Sequence, residues 1–170
     1  MQELTADSTD QDREYTLQFP LSSITRPVLI DNIFYDFNSA TLTDSSVVAL
    51  DALVRLLTDN PHVVIELGAH CDYKGRDDYN ERLSQRRAES VVGHLIAKGI
   101  DAKRLVAKGY GETTPKTVTK KMAERHPFMK EGDTLTEEYI LALPEEQQEI
   151  CNAENRRTEF RVLRTTYGLF

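Results

Sequence analysis

The chain has 170 residues, of which 39% are hydrophobic and 29% are charged, so it is long enough for one domain with a buried core. Its net charge of −7 argues against nucleic acid as a partner, because phosphate binding requires a basic face. No apolar run is long enough to cross a bilayer, so we expect no direct membrane insertion by this domain.

The first part of the chain carries little structural signal. Residues 1–14 are polar and mostly acidic, which predicts a disordered leader or an artificial boundary. The folded domain is then expected to span residues 15–170. The alternating stretch Tyr15–Phe19 is typical of a short strand, which Pro20 restricts to an edge or an end.

A strand and a helix are predicted next. Val28–Phe37 is rich in β-branched and aromatic residues and favours a strand. Thr43 or Asp44 is a suitable N-cap for a helix whose apolar residues recur at helical spacing. Asn60 and the proline after it should end that helix.

A second strand, a second helix and a third strand follow. His62–His70 is predicted as a strand, with alternate residues from Val63 to Ala69 on one face. After a turn at Gly75, Asp78 and Glu81 resemble a capping box, and the helix should run to Lys98, with Gly99 as its C′ residue. Arg104–Tyr110 is the third predicted strand.

The character of the chain changes between Pro115 and Ile150. Short helical patches, highly charged and interrupted by Pro127 and Pro144, predict a surface insertion at about residues 116–150. Thr158–Thr165 is a short alternating closing strand. The order βαβαβ-insertion-β predicts an α/β (α+β) sandwich, in which a small mixed sheet carries helices on one face.

One arginine in the second helix lies where an apolar residue is expected. At roughly 100° per residue, an arc of the helix collects apolar side chains: Leu83, Ala88, Val91, Val92, Leu95 and Ile96. Arg87 falls inside this arc and Asn80 points almost the same way, whereas Arg86 falls outside it. Two interpretations remain open: Arg87 extends to water along its aliphatic stem, or it lies in a cleft and is neutralised there.

Asp72 is the nearest candidate to neutralise Arg87. It follows the end of a predicted buried strand, where α/β sheets commonly place ligand groups. An acid and a base side by side, with the amide of Asn80 on the same wall, suit a zwitterion. A ligand ammonium would meet Asp72, and a ligand carboxylate would meet Arg87.

Several segments carry a family resemblance: "YDFNSATLT", "GAHCDYKGRDDYNERLSQRRAESVVGHLIAKGI", "RLVAKGYGETTP" and "NAENRRTEF". Together they resemble the OmpA-like peptidoglycan-binding domain, found in outer-membrane proteins, peptidoglycan-associated lipoproteins and flagellar stator anchors. The resemblance covers roughly Asn32 to Leu163, except for the insertion. The long insertion resembles the form found in envelope proteins of the Bacteroidota, where the domain often ends larger lipoproteins, some tied to protein secretion.

The resemblance implies a function and a set of site residues. It implies non-catalytic binding of the peptidoglycan stem peptide through its diaminopimelate residue, without cofactor or metal, by the periplasmic part of an outer-membrane-associated protein. Asp72 resembles the family's ammonium-binding aspartate and Arg87 its carboxylate-binding arginine. Asn80 resembles the asparagine at the helix start, Asn38 the loop position whose neighbouring amides meet the ligand, and Arg156 a residue at the pocket rim. Asn38 as a simple turn residue and Arg156 as a partner of neighbouring carbonyls remain alternatives.

Both cysteines flank the expected pocket in sequence. Cys71 stands where the family usually has a threonine, so a ligand bond from that position is in doubt. Because the periplasm is oxidising, a disulfide between Cys71 and Cys151 is one hypothesis. Two separate buried thiols are the other.

An enzyme and a protein–protein adaptor are the two functional classes that compete with wall binding. An enzyme is not expected, because His70 and Cys71 are adjacent strand residues whose side chains should diverge, and no Cys-x-x-Cys or histidine spacing suits a metal. A protein–protein adaptor in an envelope or secretion complex, built on the same fold, is the alternative that the insertion favours.

Overall fold

A four-stranded mixed sheet forms the centre of this computed structural model, which describes residues 28–30, 33–36 and 38–169. Its strands are β1 (Val28–Leu29), β2 (Val64–His70), β3 (Leu105–Gly111) and β4 (Arg157–Arg164). They lie in the order β1-β4-β2-β3, with β2 parallel to β3 and antiparallel to β4. The predicted mixed sheet is confirmed, while the predicted strand Tyr15–Phe19 lies outside the described residues.

The first predicted strand is much shorter than expected. Among the described residues of this segment, Val28–Leu29 forms the strand that pairs with β4, the Ile30 amide donates to the Thr158 carbonyl at 2.9 Å, and Tyr35 forms an isolated bridge to Leu42. The carbonyl oxygen of Phe34 accepts hydrogen bonds from Ser46 Oγ at 2.7 Å and from the Thr43 amide at 3.2 Å. The Phe34 carbonyl therefore hydrogen-bonds to residues at the start of the next helix instead of to a neighbouring strand.

Two long helices pack against the sheet: α1 (Asp44–Asp59) and α2 (Asp77–Ala97). Thr43 is the N-cap of α1, as predicted, and its side chain accepts from the Ser46 amide. Fully buried leucines of α1 and valine and leucine of α2 meet the apolar side chains of β2 and β4 in one core. Its largest members include Leu50, Leu57, Ile65, Leu67, Val91, Leu95 and Phe160.

The start of α2 differs from the prediction, although its end agrees. The helix begins at Asp77 with Arg76 as the N-cap and no side-chain cap, so the predicted capping box is wrong. The carboxylate of Asp78 instead pairs with Arg76 at 3.2 Å and with Arg82 at 3.4 Å. Gly99 follows the C-cap with a φ of 102°, as expected of a C′ glycine.

The opposite face of the sheet is polar but also buried. Every residue of β2 is buried, including Glu66 and His70 on the face away from the apolar core. Glu66 accepts from the Tyr110 hydroxyl at 2.5 Å and pairs with Arg161 at 3.2 Å. The His70 ring stacks on Tyr110 with a centroid distance of 4.8 Å. Paired polar groups thus replace apolar packing on this face.

The insertion has a small core of its own. It contains α3 (Lys120–Arg125), α4 (Glu137–Leu141) and α5 (Glu145–Asn155), and Pro144 is the N-cap of α5. Apolar side chains from these helices and their connections form a second buried cluster: Val118, Met122, Met129, Leu135, Ile140 and Cys151. Because α5 continues past residue 150 and leads directly into β4, the last helix of the insertion connects it to the sheet.

Candidate functional site

A cleft of about 750 Å³ opens where the chain leaves β2. The structure brings all five ligand residues that the sequence suggested to the lining of this cleft: Asn38, Asp72, Asn80, Arg87 and Arg156. The site lies beyond the carboxyl ends of the parallel strands β2 and β3, a common position for binding sites in α/β sheets. This topology explains how residues distant in sequence converge there.

The guanidinium of Arg87 is held inside the cleft. Its Nε donates to the carbonyl oxygen of Ser39 at 2.9 Å, and its Cζ lies 4.7 Å from the centroid of the Tyr35 ring. The side chain is half-buried, whereas Arg86 beside it is exposed. Of the two interpretations of Arg87, the structure favours a guanidinium held in a cleft wall.

Tyr35 is a site residue that the sequence analysis did not single out. Its hydroxyl lies 3.0 Å from Thr158 Oγ1, and its ring stacks under Arg87. Burial raises the pKa of Tyr35, although the hydrogen bond to Thr158 and the charge of Arg87 act in the opposite direction. The phenol therefore stays neutral and offers an aromatic face to the guanidinium. Its place in the "YDFNSATLT" segment was the available signal.

The carboxylate of Asp72 is paired, but not with Arg87. Its Oδ1 accepts from the backbone amide of Lys74 at 2.9 Å, and its Oδ2 meets Nη1 of Arg156 at 2.5 Å. Among the described residues no ion pair joins Arg87 to a carboxylate, so the expectation that Asp72 neutralises Arg87 directly is wrong. This pairing results from tertiary packing, because the end of α5 places Arg156 beside the loop that carries Asp72.

Arg156 bridges two carboxylates at the rim of the cleft. Its Nη2 lies 2.6 Å from Glu149 Oε2, while its Nη1 meets Asp72. Lys74 Nζ lies 3.6 Å from the other oxygen of Glu149. The hydrogen bond from Arg156 lowers the pKa of Glu149. Glu149 and Lys74 were not predicted, and no sequence pattern linked them.

Asn80 supports the loop that carries Asp72. Its buried side-chain amide donates to the carbonyl of Lys74 at 2.8 Å and to Glu112 Oε1 at 3.1 Å, with a longer bond of 3.4 Å to the carbonyl of Asp72. Gly75 in the same loop has a φ of 94°. The hydrogen bonds of the Asn80 amide thus hold the conformation of this loop.

Asn38 occupies a turn on the other side of the cleft. Its φ of 48° lies in the left-handed region, which asparagine tolerates better than most residues. The Ser39 amide donates to the Asp36 carbonyl at 3.0 Å, which closes this turn. The turn directs the Ser39 carbonyl to Arg87, so the segment around Asn38 orients the guanidinium.

The two cysteines are free, and the disulfide hypothesis is wrong for this structure. Cys71 Sγ donates to the Asn80 carbonyl at 3.5 Å, whereas Cys151 belongs to the apolar cluster of the insertion. Burial raises the pKa of Cys71, and it raises that of Cys151 to about 11. Both side chains are therefore protonated thiols near neutral pH, each buried in its own environment.

His70 and Cys71 diverge as predicted. His70 Nε2 lies 3.3 Å from Glu159 Oε1 on the polar face of the sheet, while Cys71 faces α2. Across the described ranges no group of three acidic, histidine or cysteine side chains is arranged for a metal ion. The helices described there include none long and apolar enough to span a membrane.

A second groove, of about 770 Å³, lies between α2 and β3. Arg82 and Lys108 line it, but Arg82 already pairs with Asp78, and Lys108 lies over the Tyr110 ring at 5.4 Å. It contains none of the five suggested ligand residues. The cleft beside Asp72 is therefore the candidate site.

Comparisons with known proteins place this geometry in a family. The model of the OmpA family matches residues 34–126. Outer membrane protein A of Shimwellia blattae is 41% identical over 92 residues, which cover 52% of this chain and 38% of that protein. The same protein of Shigella flexneri is 42% identical over 92 residues, 52% of this chain and 26% of its own length. The chain thus matches well under half the length of these relatives.

Solved structures share the fold at low sequence identity. The peptidoglycan-associated lipoprotein from Burkholderia pseudomallei has a TM-score of 0.52 at 22% identity, over 81% of this chain and 90% of that one. The cell wall anchor of the T6SS from Pseudomonas aeruginosa has a TM-score of 0.52 at 24% identity, over 80% of this chain and 78% of that one. These likenesses extend the match in fold beyond the region covered by the family model.

Proposed function

The chain belongs to the OmpA family, and on that premise we propose that it binds peptidoglycan non-covalently and anchors an outer-membrane or periplasmic assembly to the cell wall. One observation carries the proposal: a single cleft presents the carboxylate of Asp72 and the oriented guanidinium of Arg87. The names of two structural neighbours, a peptidoglycan-associated lipoprotein and a cell wall anchor, support the same class of function.

The ligand that fits this cleft is the diaminopimelate of the stem peptide. Its side-chain end carries an ammonium and a carboxylate, which suit Asp72 and Arg87 respectively. The Ser39 carbonyl and the Tyr35 ring fix the plane of the Arg87 guanidinium before any ligand arrives. A guanidinium that is already oriented loses less conformational freedom when it binds a carboxylate.

Asn38 and Asn80 have supporting roles in this proposal, whereas Arg156 does not hold the ligand loop. Asn80 holds the Asp72 loop, and the turn at Asn38 holds the carbonyl that orients Arg87. Arg156 lies at the rim and contacts the ligand-binding carboxylate. The small polar ligand implies modest affinity for one site, which avidity along the wall polymer would raise.

A protein–protein adaptor is the second candidate. The separate apolar cluster of the insertion favours it, because a region with its own core can present a stable surface to another envelope protein. Wall binding is preferred because the described cleft carries complementary charges for a zwitterion.

The test is sedimentation with purified diaminopimelate-containing peptidoglycan. We expect Asp72→Asn and Arg87→Gln each to weaken binding at least tenfold, because each removes a charge-assisted bond of about 1.5–3 kcal/mol. Arg86→Gln is the matched control, since it removes the neighbouring exposed charge and should leave binding unchanged. Circular dichroism checks that all variants are folded.

Two comparisons sharpen this experiment. A lysine-type wall lacks the side-chain carboxylate, so it should bind more weakly, and Arg87→Gln should matter less for it. Folded Asp72→Asn and Arg87→Gln variants that bind as well as the parent would refute the assignment of the site. Soluble muropeptides released during the incubation would indicate an enzyme instead.

A further inference from the structure

The ligand-binding carboxylate already has a cationic partner within the protein. Arg156 Nη1 lies 2.5 Å from Asp72 Oδ2, and the Asp72 side chain is only 12% exposed. A ligand ammonium would have to approach a carboxylate whose charge is partly neutralised by this guanidinium. Two cations at one carboxylate repel each other, so Arg156 and the ammonium compete.

A second carboxylate shares Arg156. Glu149 Oε2 lies 2.6 Å from Arg156 Nη2, whereas Asp72 meets Nη1 of the same guanidinium. Lys74, in the Asp72 loop, lies 3.6 Å from the other oxygen of Glu149. When a ligand ammonium binds the Asp72 carboxylate, Arg156 therefore keeps its ion pair with Glu149 and needs no other group to balance its charge.

Glu149 belongs to the insertion and not to the region that the family model matches. That region ends at residue 126, whereas Glu149 lies on α5, which closes the insertion. Tyr73 of the Asp72 loop packs against the apolar cluster of the insertion. The insertion and the ligand loop thus touch through both an apolar and an ionic contact.

We propose that Arg156 competes with a ligand ammonium for the carboxylate of Asp72. In this proposal, Glu149 of the insertion determines how easily the ion pair between Arg156 and Asp72 breaks when the ammonium binds. The inference rests on the proposed function of this cleft. It makes the insertion a determinant of affinity, and it reverses the role suggested for Arg156 by the family resemblance, because removal of Arg156 should then strengthen binding.

The experiment measures the affinity of the whole chain for a soluble diaminopimelate stem peptide by calorimetry. Arg156→Gln should tighten binding about two- to fivefold, the range of a partly exposed ion pair. Glu149→Gln should weaken it by a similar factor, because Arg156 is left with Asp72 as its carboxylate partner. In the double variant the effect of Glu149→Gln should vanish, which identifies Arg156 as the intermediary.

Matched controls separate charge from position. Glu145→Gln removes an exposed carboxylate from the same helix and should leave affinity unchanged. A lysine-type peptide, which keeps the ammonium, should respond to Arg156→Gln in the same direction. A peptide with that amine acetylated should not respond, because it places no cation at Asp72.

The outcomes distinguish this inference from the proposed function. A parent protein that binds no stem peptide refutes both. A parent that binds, together with an Arg156→Gln variant that binds equally or more weakly, refutes only the competitor role. An effect of Glu149→Gln that persists without Arg156 likewise overturns it, since Glu149 would then act by another route.

Discussion

Glu159 is a buried carboxylate on the polar face of the sheet, and three basic side chains surround it. Arg157 Nε lies 2.9 Å away, His70 Nε2 3.3 Å and Lys116 Nζ 3.6 Å. Burial alone would raise the pKa of Glu159, but the hydrogen bonds and charges of His70 and Arg157 outweigh it and lower the pKa to about 2. Burial lowers the pKa of His70, against the opposing hydrogen bond to Glu159.

Both shifts make the protein less stable in acid. A carboxylate with a folded-state pKa below its ordinary value of 4.5 contributes stability above pH 4.5 and loses it as the pH falls towards about 2. A histidine with a folded-state pKa below 6.5 resists protonation, so stability also falls as the pH drops below 6.5. The two residues therefore act in the same direction in successive pH ranges.

We predict that Glu159→Gln lowers the free energy of unfolding by about 3 kcal/mol at pH 7, because it leaves Arg157 and Lys116 without their buried carboxylate. Urea unfolding at several pH values measures this. The difference between parent and variant should shrink as the pH falls from about 4.5 towards 2. A constant difference across that range would show that the pKa of Glu159 is not lowered in the folded protein.

At the scale of elements, α2 and β3 approach each other closely at one glycine. A Cβ added to Gly109 would lie 2.5 Å from Gln85 Cα and 2.6 Å from Ser84 Oγ, which is closer than real Cβ contacts come. Gln85 also accepts from the Gly109 amide at 2.7 Å, so the helix is hydrogen-bonded to the strand at this point. The absence of a side chain at Gly109 lets α2 pack closely enough to form these contacts.

We predict that Gly109→Ala destabilises the protein by about 1–3 kcal/mol or more, through overpacking between backbone atoms that cannot move independently. Gly93→Ala is the matched control, because Gly93 is exposed in the interior of α2 and an added Cβ meets nothing within 4 Å. That change should stabilise the protein by about 0.5–1 kcal/mol. Thermal unfolding compares the two variants. A change of stability in the same direction for both would contradict the packing argument.

For the whole molecule, the insertion adds a second core beside the first. Leu135 and Ile140 are fully buried in it, and Asn155 donates to the Leu135 carbonyl at 3.0 Å. Asn155 Oδ1 accepts from the Lys116 amide at 2.8 Å, so a residue next to β4 ties together both ends of the insertion. The insertion therefore has internal packing that a simple surface loop would lack.

We predict that Ile140→Ala lowers the free energy of unfolding by about 2–5 kcal/mol, the range for emptying a buried apolar site. Leu141→Ala is the neighbouring control, because Leu141 is 56% exposed and its truncation should change stability by no more than about 0.5 kcal/mol. Chemical denaturation monitored by circular dichroism provides both values. Similar small effects for the two would mean that the insertion contributes no packed core.

The sequence by itself determined the elements whose signals are local. The Thr43 cap, the glycine after α2, the buried strand β2 and the inward position of Arg87 follow from hydrogen-bonding groups, φ preferences and periodicity within a few residues. The sequence motif also pointed to five residues that do line one cleft. The long first strand was wrong, because the competing bonds to Phe34 come from α1.

Only the tertiary structure decided which charges meet. Asp72 pairs with Arg156 and not with Arg87, Glu149 joins them from the insertion, and Tyr35 supports Arg87. These contacts link residues separated by up to 84 positions, and no periodicity encodes them. The two cysteines are likewise apart because one faces α2 and the other the second core. Local sequence sets the direction of a side chain, whereas its partner depends on how the elements pack.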